Sequence, residues 1–121
     1  MFILIIAVII WALTNKKNLL SNHKITNAIV IDCYSGGRGN EGTTILYKFD
    51  LSGKEVTGSS AFSHEVLNLS NAKTYIIGKT FPVAYDPQRP SNNILLIREK
   101  DFKQFNIDMP DSLQWLLKYV H

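Results

Sequence analysis

Ser63-His64-Glu65 brings together the residue types of a hydrolytic triad, yet it does so in succession. Neighbours on an extended chain point to opposite faces, so the three side chains cannot converge as nucleophile, base and orienting carboxylate. No G-x-S-x-G elbow accompanies them. Gly37-Arg38-Gly39-Asn40-Glu41-Gly42 matches G-x-G-x-x-G and follows a strand-like run. A dinucleotide site also needs a helix opening on the last glycine to meet the pyrophosphate, whereas Thr43 to Tyr47 reads as a strand. A hairpin loop is the expectation there, and Arg38 alone is not a phosphate-binding patch. His23, His64, His121 and Cys33 show no metal-ligand spacing. Cys33 is the one cysteine and lies in the apolar run Ile29 to Tyr34, which reads as a buried, inert thiol and rules out an intrachain disulfide. Asp32 and Asp50 are placed to face one another across paired strands, as a solvated face rather than an acid/base dyad. Tyr85 reads as core or edge cover. Asn68-Leu69-Ser70 fits a glycosylation sequon, too common a pattern to use. No catalytic, cofactor-binding or metal-ligating residue is expected.

The elements that would position these residues are mostly strands. Asn27 to Tyr34 is a strand with Ile29, Ile31 and Cys33 on one face and Val30, Asp32 and Tyr34 on the other. Thr43 to Leu51 alternates cleanly, with Ile45, Tyr47, Phe49 and Leu51 on the buried side. Ser52-Gly53 supplies a turn, and Glu55 to Phe62 returns as a weakly packed edge partner containing Gly58, Ser59 and Ser60. Glu65 to Ile77 shows no clean period and reads as loop with a possible helical turn. Lys79 to Tyr85 is a strand with Phe81, Val83 and Tyr85 on one face. Pro82 argues for an edge position or a strand start. Asp86-Pro87 and Arg89-Pro90 stop that strand, Asn93 to Ile97 forms the last one, and Asp101 to Phe105 forms a helical turn. Pro110-Asp111-Ser112 then opens a short helix, with Asp111 as cap, Gln114 at the capping-box position and a stripe of Leu113, Leu116, Leu117 and Val120.

Met1 to Leu13 carries no charge, and Leu19-Leu20 resumes apolar character after a polar stretch. Continued to Leu20, a helix would rise about 30 Å, the thickness of the hydrocarbon slab. A core helix would show a polar stripe, and a signal peptide would show a basic start and small residues at a cleavage site. A membrane anchor is therefore expected, unless a start upstream of Met1 lengthens the run. Lys16, Lys17 and Lys24 account for the whole net charge of +3, leaving the remainder formally neutral. No nucleic-acid partner is expected of a neutral domain. By the positive-inside rule the same lysines place the domain in the cytoplasm.

Three stretches resemble the bacterial domain of unknown function 3592 family. They are Ala28-Ile29-Val30, the hairpin Tyr47 to Lys54, and Ile77 to Pro90 with its Tyr85-Asp86-Pro87-Gln88-Arg89-Pro90 ending. The resemblance spans Asn27 to Leu96 and implies a small membrane-anchored β domain without bringing an activity. Members often carry a second hydrophobic span after the domain, for which Pro110 to His121 is too short and too polar.

The expected architecture is mainly β: a small antiparallel sheet or barrel-like domain with an N-terminal transmembrane helix and a short C-terminal helix. Residues 1–20 would form the anchor, 21–26 a juxtamembrane linker, 27–98 the β domain and 99–121 a C-terminal helical extension. The expected function is a membrane-anchored, non-catalytic module that binds a protein or peptide through its sheet edge or loops. The alternatives are a small hydrolase using Ser63 or His64, and a domain binding anionic lipid or nucleic acid.

Overall fold

A computed structural model describes residues 19–36 and 42–120. Its strands are β1 (Lys24–Gly36), β2 (Gly42–Leu51), β3 (Lys54–Ser63), β4 (Thr80–Asp86) and β5 (Arg89–Leu95). Between β3 and β4 lies α1 (Leu69–Asn71), which runs on as a π-helical turn, Ala72–Ile76. After β5 come α2 (Glu99–Lys103) and a 3-10 helix, Asp111–Lys118. All strand pairs are antiparallel, in the order β3-β2-β1-β4-β5, and the sheet curls until its edges β3 and β5 approach one another and nearly close a barrel.

Alternation forms β2 as its sequence predicts, with Ile45, Tyr47 and Phe49 buried. Ser52 and Gly53 both take positive φ (52° and 85°), the backbone a two-residue hairpin turn demands. β3 is an edge strand, as expected.

The expected grouping of Ile29 and Ile31 with Cys33 on one face of β1 does not hold. Val30 and Ala28 are buried at 1% exposure, while Ile29 and Ile31 stand out at 40% and 41%. A bulge between Val30 and Asp32 then resets the phase, so that Cys33 also turns inward. An inserted residue of this kind breaks the two-residue period on which the sequence reading rests.

Pro82 lies in β4, between β1 and β5, and so is not on an edge. Its carbonyl accepts Leu96 N–H at 2.9 Å. A residue's N–H and C=O point the same way across a strand, so the missing N–H falls on the β5 side, beyond the last paired residue, Leu95. The ladder to β1 loses nothing.

Arg89-Pro90 does not stop a strand but begins β5, because Pro87-Gln88 is a two-residue turn between Asp86 and Arg89. The Asp86 carboxylate accepts Gln88 N–H at 2.9 Å and holds that turn. The irregular stretch after β3 is helical, with the Asn68 side chain accepting Asn71 N–H at 2.8 Å as its cap.

The last helix starts behind Pro110 with no side-chain cap, instead of on Asp111. Its 3-10 winding eclipses residues three apart, which buries Leu113 and Leu116 and turns Leu117 out at 43% exposure. Phe102, Phe105, Leu116 and Val120 join the sheet in one core, so residues beyond 98 complete the domain.

Met1 to Asn18, most of the expected anchor, lies outside the described residues. Among the described residues no helix is long and apolar enough to cross a membrane. Leu19 is buried in the domain core, and β1 already begins at Lys24 within the expected linker.

Candidate functional site

The residues with catalytic types do not assemble. Ser63 ends β3, and its carbonyl takes the N–H groups of Val66 and Leu67, each at 3.0 Å. Ser63, His64 and Glu65 are all exposed along the turn that follows. Gly37 to Glu41 lie outside the described residues, and Gly42 opens a strand rather than a helix. Asp32 pairs with Leu46, not with Asp50, whose own partner on β3 is Glu55. The Asp32 carboxylate instead accepts Cys33 N–H at 2.8 Å. Burial, reinforced by that carboxylate, pushes the Cys33 thiol up to about 11, which leaves it protonated and unreactive at neutral pH. His23 packs edge-on against Phe105, ring centroids 4.6 Å apart, with Nδ1 3.3 Å from the Leu20 carbonyl. Tyr85 covers Phe49 at 5.7 Å, as expected of a residue sharing its face. His121 lies outside the described residues, and among those described no group of His, Cys, Asp and Glu is placed to hold a metal.

What the fold does build is a seam. The two edge strands come close at Gly58 and Asn93, and residues 59–62 of β3 and 92–95 of β5 line a groove between them. Tyr47 bridges the close approach: from inside the sheet it passes across Gly58, and its hydroxyl donates to Asn93 Oδ1 at 2.5 Å. A β-carbon on Gly58 would meet that oxygen at 2.4 Å and the Tyr47 ring at 2.6 Å, so only glycine admits the crossing.

The groove has a volume of about 530 Å³. Ser59 to Phe62 of β3 form one wall and Asn92 to Leu95 of β5 the other, with Leu19, Leu20 and Phe105 across the opening. Both walls are strand edges with no ladder partner on the groove side. The lining mixes apolar side chains with short polar ones, Ser59, Ser60 and Asn92 among them.

Arg98 lines the groove beside Phe62. Its guanidinium lies over the Phe62 ring at 5.5 Å and donates to Asp101 through Nη2 (3.1 Å) and Nε (3.3 Å). Asp101 is 3% exposed and also accepts the Arg98 backbone N–H at 3.0 Å. The pair holds the corner where α2 leaves β5 and supplies the charge of the groove wall among the described residues.

The sequence reading missed the contacts Tyr47–Asn93 and Arg98–Asp101. One signal was present: a glycine inside a strand marks a close approach, and Gly58 is that glycine.

A family model described as a domain of unknown function, DUF3592, matches residues 23–99. That span contains all of the stretches whose resemblance was noted above. No curated protein and no solved structure matches the chain.

Proposed function

The chain belongs to the DUF3592 family, and from that premise we propose that it is a non-catalytic interaction module that seats an extended segment of a protein partner in the groove between β3 and β5. The observation that carries this reading is the pair of facing strand edges. Each presents backbone N–H and C=O groups without a ladder partner, and an extended segment satisfies such groups by adding a strand. Natural sheets usually blunt their edges with lysine or proline. Here the groove portion of β3 is Ser59-Ser60-Ala61-Phe62, without charge or proline.

The second part of the proposal is tethering. The apolar run of Met1 to Leu13 supports a membrane anchor, and Lys16 and Lys17 after it support a cytoplasmic domain. With Leu19 taken into the domain core, the apolar run Met1 to Leu13 is what remains for the bilayer, about 20 Å if helical, with Lys16 and Lys17 as its flank.

A photocrosslinking residue at Ala61 or Asn92 tests the seam in cells, with one at Lys48 on β2 as control. A discrete partner is expected from the first two positions and not from the third. The crosslinked segment, made as a peptide, should then slow amide exchange at Ser59 to Phe62. Unchanged exchange there would remove the strand-addition reading. Retention of function by a Ser63→Ala, His64→Ala variant is expected, and its loss would favour the hydrolase alternative.

A further inference from the structure

Sharing no residue with the seam, a shallow cleft of about 410 Å³ lies between the π-helical turn and the 3-10 helix. Tyr75 from the former and Tyr119, just beyond the latter, stack with centroids 4.1 Å apart and planes 18° from parallel. Trp115 stands edge-on to Tyr119 at 6.2 Å and rests on Phe81 at 6.3 Å. The 3-10 winding sets Trp115 and Lys118 one above the other, and Lys79 comes in from the loop before β4. Thr74 completes the lining, which contains no carboxylate, and neither lysine is paired with one among the described residues. The cleft therefore carries uncompensated positive charge over an aromatic floor.

Through Lys79 the cleft adjoins a run of exposed aliphatic residues. Gly78 N–H donates to the Val30 carbonyl at 2.8 Å, and Val30 N–H to the Lys79 carbonyl at 2.9 Å. These bonds lay the chain from Ile77 to Lys79 along β1, beside Ile29 and Ile31. All three isoleucines are exposed, at 38%, 40% and 41%. A small soluble anion would use the lysines and leave the isoleucines in water. A bilayer interface uses both: lysine meets the headgroup, tyrosine and tryptophan sit at headgroup level, and aliphatic side chains reach the acyl boundary.

We infer that this cleft is an interfacial site for anionic phospholipid, with the headgroup between Lys79 and Lys118, the Tyr75 and Trp115 rings beside it at headgroup level, and the exposed isoleucines toward the acyl boundary. The inference rests on the membrane reading above and adds a second point of contact. Lys24, where the chain enters β1, is roughly 20 Å along the strand from Val30. Contacts at both places would hold the barrel lengthwise on the bilayer instead of letting it swing on its tether.

Trp115 reports on the site directly. The chain has two tryptophans, and Trp11→Phe leaves Trp115 as the sole tryptophan, excited selectively at wavelengths beyond the tyrosine absorption band, in an otherwise full-length protein. That protein is reconstituted into vesicles with brominated acyl chains, or titrated with them where it does not insert. The vesicles are made of phosphatidylcholine alone or mixed with phosphatidylglycerol. Strong quenching of Trp115 is expected only in the mixed vesicles, and raised salt should weaken it. Lys79→Gln with Lys118→Gln should lower the affinity of the cleft for the anionic surface about 30-fold, from roughly a factor of five per lysine. Equal quenching in the two lipids, no quenching in either, or quenching that survives the double substitution would overturn the proposal. Carbonate-resistant pelleting with neutral vesicles scores the anchor separately, so a failed anchor and a failed cleft give different results.

Discussion

The Tyr47 hydroxyl donates to Asn93 Oδ1, 46 positions away in the chain, and in doing so ties β2 to β5 across the intervening edge strand β3. Tyr47 itself is fully buried, while Asn93 is half-buried and lines the groove, so the bond spans from the core to the groove wall. It sets where the seam closes, and the groove begins where this contact ends.

Gly58 tests that arrangement. Its φ is ordinary, so the constraint is space: a methyl group would collide with Asn93 and the Tyr47 ring. Alanine in place of glycine normally favours ordered structure, but Gly58→Ala should destabilise by about 1 to 3 kcal/mol, the usual range for overpacking. Urea denaturation reads the difference, and a neutral or stabilising result would mean that the ring does not cross there.

Removing only the hydroxyl separates the bond from the packing. Tyr47→Phe should cost about 1 kcal/mol, the net worth of a hydrogen bond whose acceptor, Asn93, stays within reach of water in the groove. Burial raises the Tyr47 pKa above its ordinary value of 10.0. The folded state therefore holds this proton more tightly than the unfolded chain does, and stability falls as pH climbs past the unfolded value. The Phe variant should lack that part of the alkaline loss, which paired melting curves on either side of pH 10 would reveal.

Cys33 follows the same rule in a lower window. With its thiol pushed from 9.0 to about 11, the folded protein loses stability between those values and not below them. At neutral pH a thiol reagent should label Cys33 no faster than the chain opens. Labelling at the rate of a free thiol would place the residue on the surface.

Asp101 anchors the corner of the groove. Asp101→Ala strips the acceptor from the Arg98 guanidinium and from its backbone N–H, and should cost about 3 kcal/mol, within the range for breaking a buried pair. Asp101→Asn keeps the packing and should lose less. If both variants melt like the parent, the pair is ornamental to the fold.

Phe49, 3% exposed and packed on Tyr85, belongs to the face of β2 that its alternation assigns to the core. Phe49→Ala should cost about 3 to 5 kcal/mol. Unchanged thermal melting would show that this face does not carry the core.

Local chemistry was legible in the chain wherever one residue's neighbours decided its fate. The alternation of Ile45, Tyr47 and Phe49 named a strand and its buried face, because the strand period is two and nothing interrupts it. Ser52-Gly53 named a hairpin, and Asp86-Pro87-Gln88 held a backbone turn that the aspartate closes. The family was legible too, from short stretches whose glycines and prolines set backbone geometry. The burial of Cys33 could be read from the apolar run around it, although the strand's phase could not. A bulge at Ile31 shifts that phase, and whether it forms depends on how β1 meets both β2 and β4.

Tertiary structure alone decided the rest, since it turns on distances between residues far apart in sequence. The periodic stripe near the C-terminus announced a helix, but packing against the core wound it as 3-10 and so turned Leu117 outward while aligning Trp115 with Lys118. Pro82 is tolerated inside the sheet only because the β4–β5 ladder ends where its N–H is missing. The seam depends on the curl of the whole sheet, which brings β3 to β5 and lets Tyr47 reach Asn93. Sequence determined which segments become strands and which residues prefer the core, because those preferences are local; the pairing of edges and the sites between them were decided only when the sheet closed on itself.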